Sequence, residues 1–176
     1  MSTGALPMRY LYFLTLTILS LLLISTAWAE GPTAMSCQSS HITLHSDDRN
    51  GLYDGMSQGG TALVLHNTGE VACTLPPLPE LRFSDAEYKP LMAERSMVRG
   101  MHPGPVLQPV TVASGKYMQI VLRWVASDAF DGGNCIRPAF VSLELDGGAL
   151  TVPFDRQMCA AKGRTGYYSQ SMTSTP

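Results

Sequence analysis

Apolar and polar side chains alternate along much of this chain with a period of two. Ile42 and Leu44 alternate with His41, Thr43 and His45, the pattern of a strand with one wet face. Leu63 and Leu65 alternate within residues 61–66, and Asn67-Thr68-Gly69 closes that strand as a turn. Cys73-Thr74-Leu75 resumes the extended chain until Pro76-Pro77-Leu78-Pro79 forbids both helix and central strand. Leu81 and Phe83 open a further strand that turns at Ser84-Asp85-Ala86-Glu87 into Tyr88-Lys89-Pro90-Leu91. The clearest strand is Tyr117–Val125: Met118, Ile120, Leu122 and Trp124 share one face, Gln119 and Arg123 the other. Residues 97–105 and 128–134 read as irregular loops, rich in Gly, Pro or polar side chains.

Near the C-terminus, residues 139–145 and 148–154 flank Asp146-Gly147. Asp-Gly between apolar runs signals a two-residue hairpin, with positive φ expected at both central positions. That register sets Leu145 against Gly148, Leu143 against Leu150 and Val141 against Val152, so turn chemistry and apolar pattern agree. Pro153 cannot donate to a ladder and places the last strand at a sheet edge. No amphipathic helix of three turns is visible. About seven short strands separated by Gly/Pro turns predict an all-β, antiparallel β-sandwich.

The first thirty residues break this pattern. Residues 11–24, LYFLTLTILSLLLI, form an unbroken run dominated by apolar side chains, followed by Ala27-Trp28-Ala29. A basic start, a short apolar run and a small-x-small site predict a signal peptide over 1–29. The run is short against the roughly 20 residues of a membrane span. Cleavage leaves 30–176, with the sandwich at 30–159 and a polar, Ser/Thr-rich, disordered tail at 160–176. The expected destination is periplasmic or extracellular, without a transmembrane span after cleavage.

Four cysteines, Cys37, Cys73, Cys135 and Cys159, remain in the mature chain. An even number in an exported chain predicts two disulfides. No pair has the CxxC spacing of a zinc site. Extending the hairpin register brings Cys135 opposite Met158, one residue from Cys159, a slip that a bulge at Pro138 absorbs. Strand order brings Cys37 to Cys73. The predicted bridges are therefore Cys37–Cys73 and Cys135–Cys159.

Composition narrows the function classes. Charged residues make up 15% of the chain and the formal net charge is −2, which lacks the basic footprint of a nucleic-acid binder. Gly55-Met56-Ser57-Gln58-Gly59 matches G-x-S-x-G, but a nucleophile elbow needs a strand before the Ser and a helix after it; loop and strand patterns flank it here. His41 and His45 share a strand face about 13 Å apart, too far for one metal. Asp47, Asp48, Asn50 and Asp54 make an acidic loop whose spacing fails the EF-hand pattern. Met97, Met101 and His102 offer the soft thioethers and imidazole that suit copper, the alternative to a bland module.

The residues from Cys37 to Cys159 resemble the exported bacterial domain-of-unknown-function family 4232 (DUF4232). The resemblance rests on Cys37 opening a strand, and on Leu63-Val64-Leu65-His66-Asn67-Thr68-Gly69 followed by Cys73-Thr74-Leu75. It continues through Pro79-x-Leu81-x-Phe83, Val112-x-x-Gly115, Val121-Leu122-Arg123-Trp124, Cys135, Leu150-Thr151-Val152-Pro153-Phe154 and Cys159. Pro76-Pro77 and the segment after Cys159 depart from the family pattern. The resemblance implies an immunoglobulin-like sandwich outside the cytoplasm, with no established activity or catalytic residues to carry over; no cofactor is expected. The expected function is a non-enzymatic binding or structural module of the envelope, its partner unknown, acting through loops 50–60 and 97–105 and the Pro153 edge; the alternative is a periplasmic copper-binding protein using Met97, Met101 and His102.

Overall fold

A computed structural model describes residues 35–96, 106–127 and 129–176. The segment 1–29 lies outside the described residues, as do Met97, Met101, His102 and the rest of loop 97–105. The described chain is strands joined by turns and two short 3-10 turns, without an α-helix. In order, the strands are β1 (Ile42–Asp47), β2 (Gln58–Asn67), β3 (Cys73–Leu75), β4 (Leu81–Ser84), β5 (Pro90–Leu91), β6 (Ala93–Arg95) and β7 (Val110–Val112). They continue as β8 (Tyr117–Val125), β9 (Asn134–Ile136), β10 (Phe140–Leu145), β11 (Gly148–Pro153), β12 (Met158–Ala160) and β13 (Gly166–Gln170). The expected all-β sandwich is therefore correct, with more strands than seven. The extra ones are mostly two or three residues long, too short to show an alternation of their own.

The larger sheet runs β1-β2-β8-β12-β9, with β13 also on β8 and β6 pairing β13 in parallel. The smaller sheet runs β11-β10-β4-β5, and β3 pairs β7 apart from both. Strand β8 is the spine: Leu63 faces Ile120 and Leu65 faces Met118 across its β2 ladder. The inward side chains of both sheets, among them Leu63, Leu65, Ile120, Leu122 and Trp124 from one and Leu81, Phe83, Val141, Leu143 and Val152 from the other, form one buried cluster. Burying each large side chain of this kind stabilises by about 1.5–3 kcal/mol. Trp124 packs against Phe154 at 5.0 Å between ring centroids, and Phe83 meets both Phe154 and Tyr168 edge-on at 5.3 and 5.1 Å.

The hairpin register is as predicted, with Leu145 opposite Gly148, Leu143 opposite Leu150 and Val141 opposite Val152. The turn itself differs. Positive φ falls on Gly147 and Gly148, at 86° and 138°, rather than on Asp146 and Gly147. The Asp146 carbonyl meanwhile accepts a hydrogen bond from the Ser39 N–H at 2.8 Å, which ties the turn to the start of the domain.

Both disulfides form as predicted, Cys37–Cys73 with Cα atoms 4.9 Å apart and Cys135–Cys159 with Cα atoms 4.0 Å apart. The one-residue slip that aligns Cys135 with Cys159 is real, but it lies across the ladder from Pro138. The N–H groups of both Phe154 and Asp155 donate to the Ala139 carbonyl, so two residues oppose one, as in a β-bulge. Asp155 takes φ 40° to make it. Beyond this point the two chains leave the smaller sheet and continue as β9 and β12 of the larger one.

The segment expected as a disordered tail is ordered. Strand β13 pairs Tyr168 with Trp124 and Gln170 with Leu122. Beyond it, Gln119 and Ser174 exchange backbone hydrogen bonds at 2.7 and 3.0 Å, and Thr173 is buried with its hydroxyl donating to the Pro76 carbonyl. Polar composition misleads here because backbone pairing with β8 and Tyr168 in the core supply what the side-chain pattern lacks.

Candidate functional site

The first surface singled out by sequence, loop 50–60, sits where β1 ends and β2 begins. Its last residues, Gln58 to Gly60, already belong to β2. Arg49, Asn50 and Gly51 are successive left-handed residues with φ 52°, 55° and 77°, a conformation that costs non-glycine residues of order 1 kcal/mol each. The two preceding aspartates hold it. The Arg49 and Asn50 N–H groups donate to Asp47 Oδ1 and Asp48 Oδ1 at 2.8 and 3.1 Å. A crevice of about 230 Å³ opens beside this turn, lined by Ser46, Asp47, Asp48, Thr61, Phe154 and Arg156. Its charges are matched in pairs: Asp47 with Arg49 at 2.9 Å, Asp48 with Arg156 at 3.6 Å. The acidic loop therefore ties itself to the chain that follows the Pro153 edge. Among the described residues no three His, Cys, Asp or Glu side chains gather as a metal site.

Ser57 does not sit on an elbow. The Gly55 N–H donates to the Gln58 carbonyl at 2.9 Å, so Ser57 lies in a turn that runs straight into β2. His45 is exposed on β1, but His41, expected on the same strand, is exposed in the 3-10 turn Ser39–His41 just before it, and His66 stacks on Tyr117 at 4.1 Å. Met97, Met101 and His102 lie outside the described residues, so their geometry is not described.

A surface that sequence reasoning missed lies on the outer face of the smaller sheet. Strand β10 sends Val141 and Leu143 inward, both fully buried; Phe140, Ser142 and Glu144 therefore point outward. Across the ladders, Phe140 stands between Ser84 and Pro153, and Ser142 between Arg82 and Thr151. The turn between β4 and β5 lays Tyr88 over this face. Asp85 builds that turn: its carboxylate accepts from the Glu87 and Lys89 N–H groups, and its carbonyl accepts from the Tyr88 N–H. Tyr88 is forced to φ 61°. Its ring stacks on Phe140 with centroids 4.6 Å apart and planes within 6° of parallel, yet the residue stays 66% exposed.

A groove of about 170 Å³ runs from Tyr88 and Pro90 past Ser84 and Ser142 to Arg82, Glu144 and Ala149. Ser142 and Thr151 hydroxyls are hydrogen-bonded at 2.8 Å, and Arg82 pairs with Glu144 at 3.3 Å. The groove thus offers one exposed aromatic face, a pair of hydroxyls and a charge-neutral ion pair. Groups of these kinds are able to contact and orient a ligand. Tyr168, whose hydroxyl pKa burial pushes up from 10.0, packs its ring in the core against Phe83 and is not part of this face. The sequence signal for the site is the Ser84-Asp85-Ala86-Glu87 turn, which leads into Tyr88 but is silent about Phe140.

A family model described as a domain of unknown function (DUF4232) matches residues 37–176. No curated protein and no solved structure matches the chain.

Proposed function

The chain belongs to the DUF4232 family, and we propose that it is an exported, non-catalytic binding module of the bacterial envelope or periplasm that works through the outer face of its smaller sheet. The observation that carries the binding face is Tyr88. A non-glycine residue is held at φ 61° with its ring stacked and still 66% exposed. Strained positions of this kind cluster at ligand clamps, and a side chain needed only for packing is better served by burial.

Export is supported from two sides. All four cysteines are paired, and such bridges persist in oxidising compartments while the cytosol keeps thiols reduced. The apolar run 11–24 with Ala27-Trp28-Ala29 has the form of a cleavable leader. No helix among the described residues is long and apolar enough to cross a membrane.

The test is expression of the full chain in a bacterial host, with N-terminal sequencing of the processed form and measurement of its retention on washed envelope. The expected mature start is Glu30, and Tyr88→Ala abolishes retention. A protein confined to the cytoplasm with Met1 intact contradicts export. Retention equal in wild type and Tyr88→Ala contradicts the binding face. Copper uptake lost on changing Met97, Met101 and His102 to Ala favours a metal carrier instead.

A further inference from the structure

We infer that the groove beside Tyr88 takes a short neutral oligosaccharide of equatorially substituted pyranose rings, an inference that rests on the binding-face reading above. The chemistry along the groove is graded. At one end Tyr88 presents one ring face to solvent while Phe140 supports the other. About 7 Å further along β10, at roughly 3.3 Å per residue, the Ser142 and Thr151 hydroxyls stand side by side. About the same distance beyond lies the Arg82–Glu144 pair.

Each alternative ligand class asks for something this face lacks. A polyanion needs a cluster of uncompensated cations; here Arg82 is matched by Glu144 at 3.3 Å, and a further cation, Lys89, shares its turn with Asp85 and Glu87. A helical peptide needs an apolar groove for anchors at helical spacing, and here polar groups occupy the middle of the face. A second copy of the chain needs an apolar, charge-depleted centre, where this face places Ser142, Arg82 and Glu144. A pyranose with equatorial substituents combines a flat C–H face with a rim of hydroxyls. The C–H face lies on the exposed tyrosine ring, whose quadrupole is negative at its face. The rim hydroxyls both donate and accept, so Ser142, Thr151, Arg82 and Glu144 can each find a partner.

The support beneath the ring argues the same way. Phe140 is clamped between Ser84 and Pro153 in the ladders, and the Asp85 turn fixes Tyr88 from the other side. The aromatic platform therefore exists before ligand arrives, which lowers the ordering cost of binding.

The experiment is a titration of the exported chain with N,N′,N″-triacetylchitotriose and with cellohexaose, each to about 10 mM, followed by amide NMR. At least one of the two shifts Lys89, Phe140, Ser142 and Thr151 in a saturable way. Tyr88→Ala weakens that binding by at least about tenfold and Tyr88→Phe by no more than about threefold, the difference expected of an aromatic stacking contact. No shifts with either sugar, while envelope retention still depends on Tyr88, overturn the sugar and leave the binding face standing. No shifts together with Tyr88-independent retention overturn both. Shifts confined to residues 49–57 overturn the sugar site as placed here.

Discussion

At Tyr88 the backbone and the ring make opposite demands. The backbone at φ 61° favours glycine, while the stack on Phe140 is worth about 0.5–1.5 kcal/mol beyond the area it covers. Tyr88→Ala loses the stack and keeps the strain, so urea unfolding should show a loss of about 1 kcal/mol. Tyr88→Gly loses the same stack and relieves the strain, so it should recover about 0.5–1 kcal/mol relative to Tyr88→Ala. A glycine variant less stable than the alanine variant contradicts the strain. Tyr168 gives a second residue-scale prediction. Burial raises its pKa above 10.0, with Glu80 adding to the rise and Arg95 opposing it. The folded chain then keeps a proton that the unfolded chain releases. Its contribution is fully present below about pH 10 and is lost as pH rises further. Tyr168→Phe removes that group, and its urea midpoint should fall less between about pH 9 and 11 than that of wild type. The sequence marks Tyr88 only as the first residue after the Ser84-Asp85-Ala86-Glu87 turn, since its partner Phe140 is supplied by pairing of β10 with β4.

At the scale of elements, the long strands and the hairpin were readable because each carries its own pattern. Strand β8 alternates over nine residues, and β10 with β11 combine apolar alternation with a turn signal. Strands β6, β7, β9 and β12 have three residues each and are defined by their partners. Strand β13 follows the polar run Lys162-Gly163-Arg164-Thr165, and only its pairing with β8 and β6 makes it a strand. The Cys135–Cys159 bridge was inferred from the hairpin register with the bulge placed at Pro138, whereas Phe154 and Asp155 carry it, because proline has no N–H to share while these two both donate to Ala139. Cys159 is fully buried and pairs directly with Cys135. Cys159→Ser should therefore lower stability by about 2–5 kcal/mol and raise proteolysis of the segment after Asp155. A loss below about 1 kcal/mol by urea unfolding means that β12 is held by its ladders with β8 and β9 alone.

For the molecule as a whole, the fold class follows from strand spacing and the cysteine pairing from register, while the proposed binding face does not. A face is a property of two ladders seen together. Arg82 and Ser142, Phe140 and Ser84, and Ser142 and Thr151 are brought side by side by β4, β10 and β11, and no local pattern records that juxtaposition. The loop 50–60 that the sequence favours follows the ion pairs Asp47–Arg49 and Asp48–Arg156 and leaves Leu52 and Met56 in solvent, whereas the face it overlooks leaves an aromatic ring there, stacked on Phe140. Hydrogen–deuterium exchange of the exported chain, with and without solubilised envelope, separates the two surfaces directly. Binding at the outer face of the smaller sheet predicts slowed exchange across residues 82–91 and 140–153, with 49–57 unchanged. Slowed exchange at 49–57 with 82–91 and 140–153 unchanged would contradict it.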